Sequence, residues 1–145
     1  MFTKKSVKTG IIFKIGNVLF GKLRPYLKNW FLPDFTGVAV GDFWVLEPQN
    51  INSKCLYYLI QTAAYETTAN QSSGTKMPRS DWKLVSNTEF ALPKKFEEQQ
   101  KIGEYFRTLD HLITLHQQLL NDYAKEHERQ TTLDFHHQSF VKYYN

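Results

Sequence analysis

From Glu97 to the C-terminus glycine occurs once, at Gly103, and proline never. Ile102, Phe106, Leu109, Ile113, His116, Leu120 and Tyr123 recur at alternating spacings of four and three. That repeat keeps one helix face in register with a second helix as the two supercoil. Tyr105, Leu112 and Leu119 form another stripe on the adjoining face, so the seam is wider than a two-stranded contact needs. The spacing predicts a helix of roughly 40 residues, about 60 Å long. A preceding domain of about 95 residues cannot cover that length, so much of the helix is expected to project as an arm whose seam requires a partner. Glu97 and Glu98 in its first turn complement the positive helix end. Toward Phe135, His136, His137 and Phe140 the repeat decays, and fraying is expected there without a partner.

Ahead of this helix the periodicity is that of strands and turns. Val7 to Phe13 and Val18 to Leu23 carry β-branched and aromatic residues, punctuated by Gly10, Gly16-Asn17 and Gly21 and closed by Pro25. Gly37 to Gly41 and Asp42 to Leu46 continue the pattern up to Pro48. One helix is predicted after Asn52 or Ser53, with Cys55, Leu56, Leu59, Ile60 and Ala63 on its apolar stripe. Ala69 to Arg79 reads as a polar loop, Ser80 as the cap of a short turn through Trp82 and Leu84, and Glu89 to Leu92 as a last strand before Pro93. The expected fold is α+β: a small, mainly β head at 1–95 with one or two short helices, then a long helical arm at 96–145.

The 145 residues, 41% hydrophobic and 22% charged, have the composition of one globular domain, which excludes disorder. No apolar run approaches the ~20 residues of a membrane span, and the start carries no signal-type stretch, so a cytoplasmic location without membrane partners is expected. Cys55 is the only cysteine and lies in an apolar helical pattern, which reads as a structural thiol. His111, His116, His127, His136 and His137 form no His-x-x-x-His pair, so no metal or other cofactor is expected. Charge divides unevenly: Met1 to Phe96 holds 13 Lys and Arg against 6 Asp and Glu, whereas Glu97 to Asn145 holds 5 against 8. The first part is suited to a polyanion and the second is not.

Four motifs, in order along nearly the whole chain, carry a family resemblance. Lys14-Ile15-Gly16-Asn17-Val18-Leu19-Phe20-Gly21-Lys22-Leu23-Arg24-Pro25-Tyr26-Leu27 resembles a strand-turn-strand segment of type I restriction-modification specificity subunits. Ser73-Gly74-Thr75-Lys76-Met77-Pro78-Arg79 resembles their Ser-Gly-Thr loop. Phe90-Ala91-Leu92-Pro93 with Glu98-Gln99-Gln100-Lys101-Ile102, and then Leu109-Asp110-His111-Leu112-Ile113, is similar to their Leu-Pro, Glu-Gln, Lys-Ile and Asp-x-Leu-Ile signature. The resemblance implies two target-recognition domains per subunit, each followed by a long helix. The helices pack antiparallel as a spacer, and the assembly docks modification subunits bearing the methyltransferase chemistry. Double-stranded DNA, a modification subunit, and the helix of a second recognition half or a second copy are the partners implied. A rod of fixed length would set the separation of two DNA half-sites. The family's usual Gly-Asp is Gly16-Asn17 here, which keeps the turn and drops a charge. Family recognition domains also contain an N-terminal portion ahead of the segment that begins here, so the chain reads as a half-subunit, a truncated gene or a fragment.

Candidate DNA-facing residues follow from these segments: Lys22, Arg24, Tyr26 and Lys28 in one, and Gln71, Ser72, Ser73, Thr75, Lys76 and Arg79 in the other. Lysines and hydroxyls suit phosphates, while Arg or Gln71 suits a base edge. Each is also an ordinary solvated surface residue, and Arg24-Pro25-Tyr26 reads equally as a turn set by proline with a packed tyrosine. The loop lacks the Gly-Lys-Ser/Thr ending of a nucleotide-binding motif. Pro33-Asp34 with Asp81-Trp82-Lys83 superficially matches a metal-dependent nuclease, but the separation is long and the family places cleavage on other subunits. No catalytic residue is assigned and the chain is not read as an enzyme. Two alternatives stay open: a remnant acting only through its arm, and an unrelated coiled-coil protein with a small β head.

Overall fold

The computed structural model describes residues 10–71 and 76–141, with side chains described as far as residue 132. Five short strands, β1 (Ile11–Phe13), β2 (Val18–Gly21), β3 (Trp30–Phe31), β4 (Gly37–Ala39) and β5 (Phe43–Leu46), follow the β-branched and aromatic runs. β2, buried throughout, is the centre of an antiparallel sheet ordered β3-β2-β5, with Phe20 opposite both Trp30 and Trp44. β1 pairs instead with β4, and Phe13 lies opposite Gly37. The turn into β2 is closed by Asn17 N–H donating to Lys14 O at 3.0 Å and Lys14 N–H donating to Asn17 Oδ1 at 2.8 Å. Gly16 sits at φ +91°, where a side chain is strained. Asn17 therefore retains the acceptor oxygen of the family's Asp without its charge. Val7 to Thr9, expected in the first strand, lie outside the described residues.

Four helices follow: α1 (Ser53–Leu59), α2 (Ala63–Ala69), α3 (Trp82–Ser86) and α4 (Phe96–Val141). Asn52 caps α1 by accepting from the amides of Lys54 and Cys55. The single helix expected from Cys55 to Ala63 is broken in two, because Thr62 serves both sides of the break. Its hydroxyl donates to Leu59 O at 2.8 Å and accepts from Tyr65 N–H, capping α2. Asp81, not Ser80, caps α3, accepting from Lys83 N–H at 2.8 Å. The strand expected at Glu89 to Leu92 is absent; Phe90 is held by its ring, 5.2 Å from that of Tyr65, and not by a ladder.

Val18, Phe20, Ile60, Tyr65, Ala69 and Val85 form the buried core between the three-stranded sheet and the short helices. Desolvation by burial pushes the Tyr65 phenol up to about 12, and among the described residues its hydroxyl has no hydrogen-bond partner. Burial likewise pushes the Cys55 thiol up, which makes it a poor nucleophile and a core residue.

The first turns of α4 are built onto α1. Gln99, 4% exposed, accepts Asn52 N–H at 2.9 Å and donates to Pro93 O at 2.8 Å. Gly103 lies directly against Lys54 and Cys55, Lys54 pairs with Glu104, and the rings of Tyr58 and Phe106 meet at 5.2 Å. The chain divides into two compact units, Met1–Phe106 and Arg107–Asn145. Helix and sheet content together make the fold α+β with a long C-terminal helix, as the sequence leads one to expect. Among the described residues no helix is long and apolar enough to cross a membrane.

Candidate functional site

Beyond β2 the backbone is captured by two other segments. Lys22 N–H donates to Asp42 O at 2.9 Å, Lys22 O accepts Ser80 N–H at 2.9 Å, and Arg24 N–H donates to Pro78 O at 2.8 Å. Leu23 and Arg79 form an isolated antiparallel bridge. Lys22–Arg24 and Pro78–Ser80, more than fifty residues apart in sequence, are thus one short ladder.

A 3-10 turn, Pro25–Leu27, follows immediately, flanked by Arg24 at φ 50° and Lys28 at φ 57°. Left-handed backbone at a residue with a Cβ costs roughly 1 kcal/mol or more, and persists only where surrounding bonds enforce it. Here Leu27 N–H donates to Arg24 O at 2.9 Å and Lys28 N–H to Pro25 O at 3.0 Å. Pro25 is the buried member of the turn, while Tyr26 is 54% exposed. The turn role read for Arg24-Pro25-Tyr26 is observed, but the tyrosine does not pack inward.

The loop carrying the Ser-Gly-Thr motif is tied at its base. Ser80, 8% exposed, donates its hydroxyl to Ala69 O, the last residue of α2, at 2.8 Å. Ala69 and Ser80 are thus held together, and the Leu23–Arg79 bridge sets them beside the 3-10 turn. Lys28 adds a second tie, its ammonium 2.7 Å from Glu66 on α2 and 5.9 Å from the centre of the Trp30 ring.

Of the residues singled out in sequence, Arg24, Tyr26, Lys28, Gln71, Lys76 and Arg79 are exposed and Lys22 is half-buried. Ser72, Ser73 and Thr75 lie outside the described residues. Arg79 pairs with Asp42 at 3.1 Å, whereas among the described residues Lys22, Arg24 and Lys76 have no carboxylate partner. Exposed pairs such as those of Lys28 and Arg79 contribute about 0–1 kcal/mol, so phosphate oxygens could replace their carboxylates at little cost. The result is that two cation-bearing segments are held side by side by a fixed ladder. Sequence reading did not identify Ser80, Asp42 and Glu66, which position them, because each acts through contacts distant in sequence.

Asp81 is occupied as the α3 cap, and among the described residues no group of three or more His, Cys, Asp or Glu could hold a metal ion.

On α4, Ile102 and Phe106 lie at the junction with α1; Ile102 is half-buried and Phe106 is 44% exposed against Tyr58. Leu109 is half-buried, His116 is exposed, and Ile113, Leu120 and Tyr123 are 55%, 55% and 73% exposed. Tyr105, Leu112 and Leu119 of the adjoining stripe are exposed too. These exposed apolar residues make α4 a candidate interaction surface.

Comparison with known proteins adds three findings. The family model for the type I restriction modification DNA specificity domain matches residues 4–122. A chain from a solved structure, described as the structural basis underlying complex assembly and conformational transition of the type I R-M system, superposes with a TM-score of 0.62 at 24% identity. That match covers 77% of this chain and 30% of the other. No curated protein matches the chain. With the family pattern running from the first strands through the exposed stretch of α4, the chain belongs to the type I restriction modification DNA specificity domain family.

Proposed function

We propose that the chain is a DNA-reading half, or part, of a type I specificity subunit. In this reading residues 1–95 form a head that contacts double-stranded DNA, and residues 96–145 form an arm that pairs with the helix of a second recognition half or a second copy. The arm and head together would position a modification subunit, which carries the chemistry; the chain itself is not an enzyme. DNA being its target, the cytoplasm is where it would act.

The observation that supports this reading is the Leu23–Arg79 bridge, which holds side by side the two segments carrying Lys22, Arg24 and Lys28, and Lys76 and Arg79. Duplex DNA presents a closely spaced row of charges, and a face that neutralises several of them releases counterions and binds with a steep salt dependence. Polarisation of a fluorescein-labelled 30-base-pair duplex of mixed sequence tests it. The wild-type chain is expected to bind with an affinity falling steeply as salt rises, and the combined Lys22→Ala, Arg24→Ala, Lys76→Ala variant to lower the slope by roughly three. An unchanged slope would remove these residues from the interface.

The exposed seam of α4 favours a second reading, in which the chain keeps only a protein-docking arm. A wild-type chain that ignores the duplex yet co-purifies with a modification subunit would select it.

A further inference from the structure

Trp82 opens α3, and its ring ends a run of four aromatic side chains leading out of the core. Tyr65 meets Phe20 edge-on at 5.4 Å, Phe20 stacks on Trp44 at 5.6 Å, and Trp44 meets Trp82 edge-on at 5.1 Å. Tyr65 and Phe20 are 4% and 2% exposed, whereas Trp82 is 52% exposed. A surface indole would ordinarily be free to move; this one is braced through its neighbours onto the centre of the fold. Side chains braced in this way bind without losing much rotamer entropy.

Position gives the ring a role. Trp82 follows Arg79 by three residues, and one stretch of chain supports both: Asp42 holds the Arg79 guanidinium, and Trp44, two residues on, holds the Trp82 ring. Asp42 also takes the Lys22 amide, so the indole stands next to the ladder joining the two cationic segments. The nearby carboxylates are engaged, Asp42 by Arg79 and Asp81 by the amide of Lys83, which softens their repulsion of a polyanion. Lys83, the next residue, is exposed.

We propose that Trp82 is a DNA-contacting residue, its indole packing against a deoxyribose or base edge while the neighbouring cations hold phosphates. An indole suits this task, having a broad apolar face for sugar carbons and one N–H that can donate to a phosphate or base acceptor. The inference rests on the DNA-reading function proposed above and adds an indole to contacts that are otherwise mainly cationic or hydrogen-bonding.

Duplex titrations of Trp82→Ala and Trp82→Phe, with the same labelled 30-base-pair probe, test it. Trp82→Ala is expected to bind about tenfold more weakly with an unchanged salt slope, because losing an apolar contact releases no counterion. Trp82→Phe should recover part of that loss. A second readout needs no variant: Trp30 and Trp44 are half-buried, so acrylamide should quench the wild-type emission mainly at Trp82, and the duplex should shield it. Wild-type binding that Trp82→Ala leaves intact, or quenching indifferent to the duplex, would overturn the proposal and leave the DNA-reading function standing. A variant that binds duplex normally but no longer retains a modification subunit would also overturn it, making the ring a protein contact. A wild-type chain that does not bind the duplex at all would instead remove the function on which the inference rests.

Discussion

Gly103→Val is expected to destabilise the Met1–Phe106 unit by about 3 kcal/mol, read as a lower midpoint of urea unfolding. A Cβ added at this position would lie 2.6 Å from Lys54 Cβ and 3.1 Å from the Cys55 amide nitrogen. Neither atom can move alone, since both belong to the backbone end of α1, so the two helices would have to part. Separation would also break the bond that Gln99 accepts from Asn52 N–H, leaving buried polar groups unpaired. Helix propensity argues the opposite way, because glycine inside a helix costs up to ~1 kcal/mol relative to alanine. The sign of the change therefore separates packing from propensity. A midpoint raised by Gly103→Val would show that the α1–α4 junction is looser than the geometry describes.

Ile113→Glu combined with Leu120→Glu is expected to weaken pairing through α4 by about 100-fold or more, while the Met1–Phe106 unit stays folded. Both residues are 55% exposed, so their replacement costs the isolated chain little. Inside a helix pair the same glutamates would lose their water, at several kcal/mol for the pair together. Sedimentation velocity of the chain alone, and mixed with a second recognition half, measures the effect against the wild type. Equal sedimentation of variant and wild type in both settings would take the seam out of the interface.

The long helix was legible because its signal is repetitive: one apolar face sustained from Ile102 to Tyr123, with no proline to break it. Strand positions were legible from β-branched and aromatic runs, though their partners were not. Nothing local in the first strand says that it pairs with β4 and leaves β2 to bind β3 and β5. The misread elements share a cause. Thr62 divides one apolar stripe into two helices by capping, and Asp81 outcompetes Ser80 because Ser80 is drawn inward to Ala69 O. Phe90 looked like strand but answers to the Tyr65 ring. In each case a tertiary or side-chain contact overrode a local preference.

The candidate site divides the same way. Its cations were visible as residue types in two motif segments, and the family match over residues 4–122 agrees with the resemblance those motifs carried. Their convergence was not visible, because it depends on amide-to-carbonyl bonds between Lys22–Arg24 and Pro78–Ser80, and any residue type can make those. In the sequence Trp82 belongs to a short turn and to the Asp81-Trp82-Lys83 pattern, and neither marks its ring as exposed. In the structure its ring meets that of Trp44 edge-on and is left half exposed.

Hydrogen–deuterium exchange of the wild-type chain, with and without duplex DNA, tests most directly whether the two segments act as one face. Duplex is expected to slow amide exchange in peptides covering Lys22 to Lys28 and Lys76 to Lys83 together, with β1 and β4 unchanged. Protection confined to one of these segments, or appearing only along α4, would contradict that expectation.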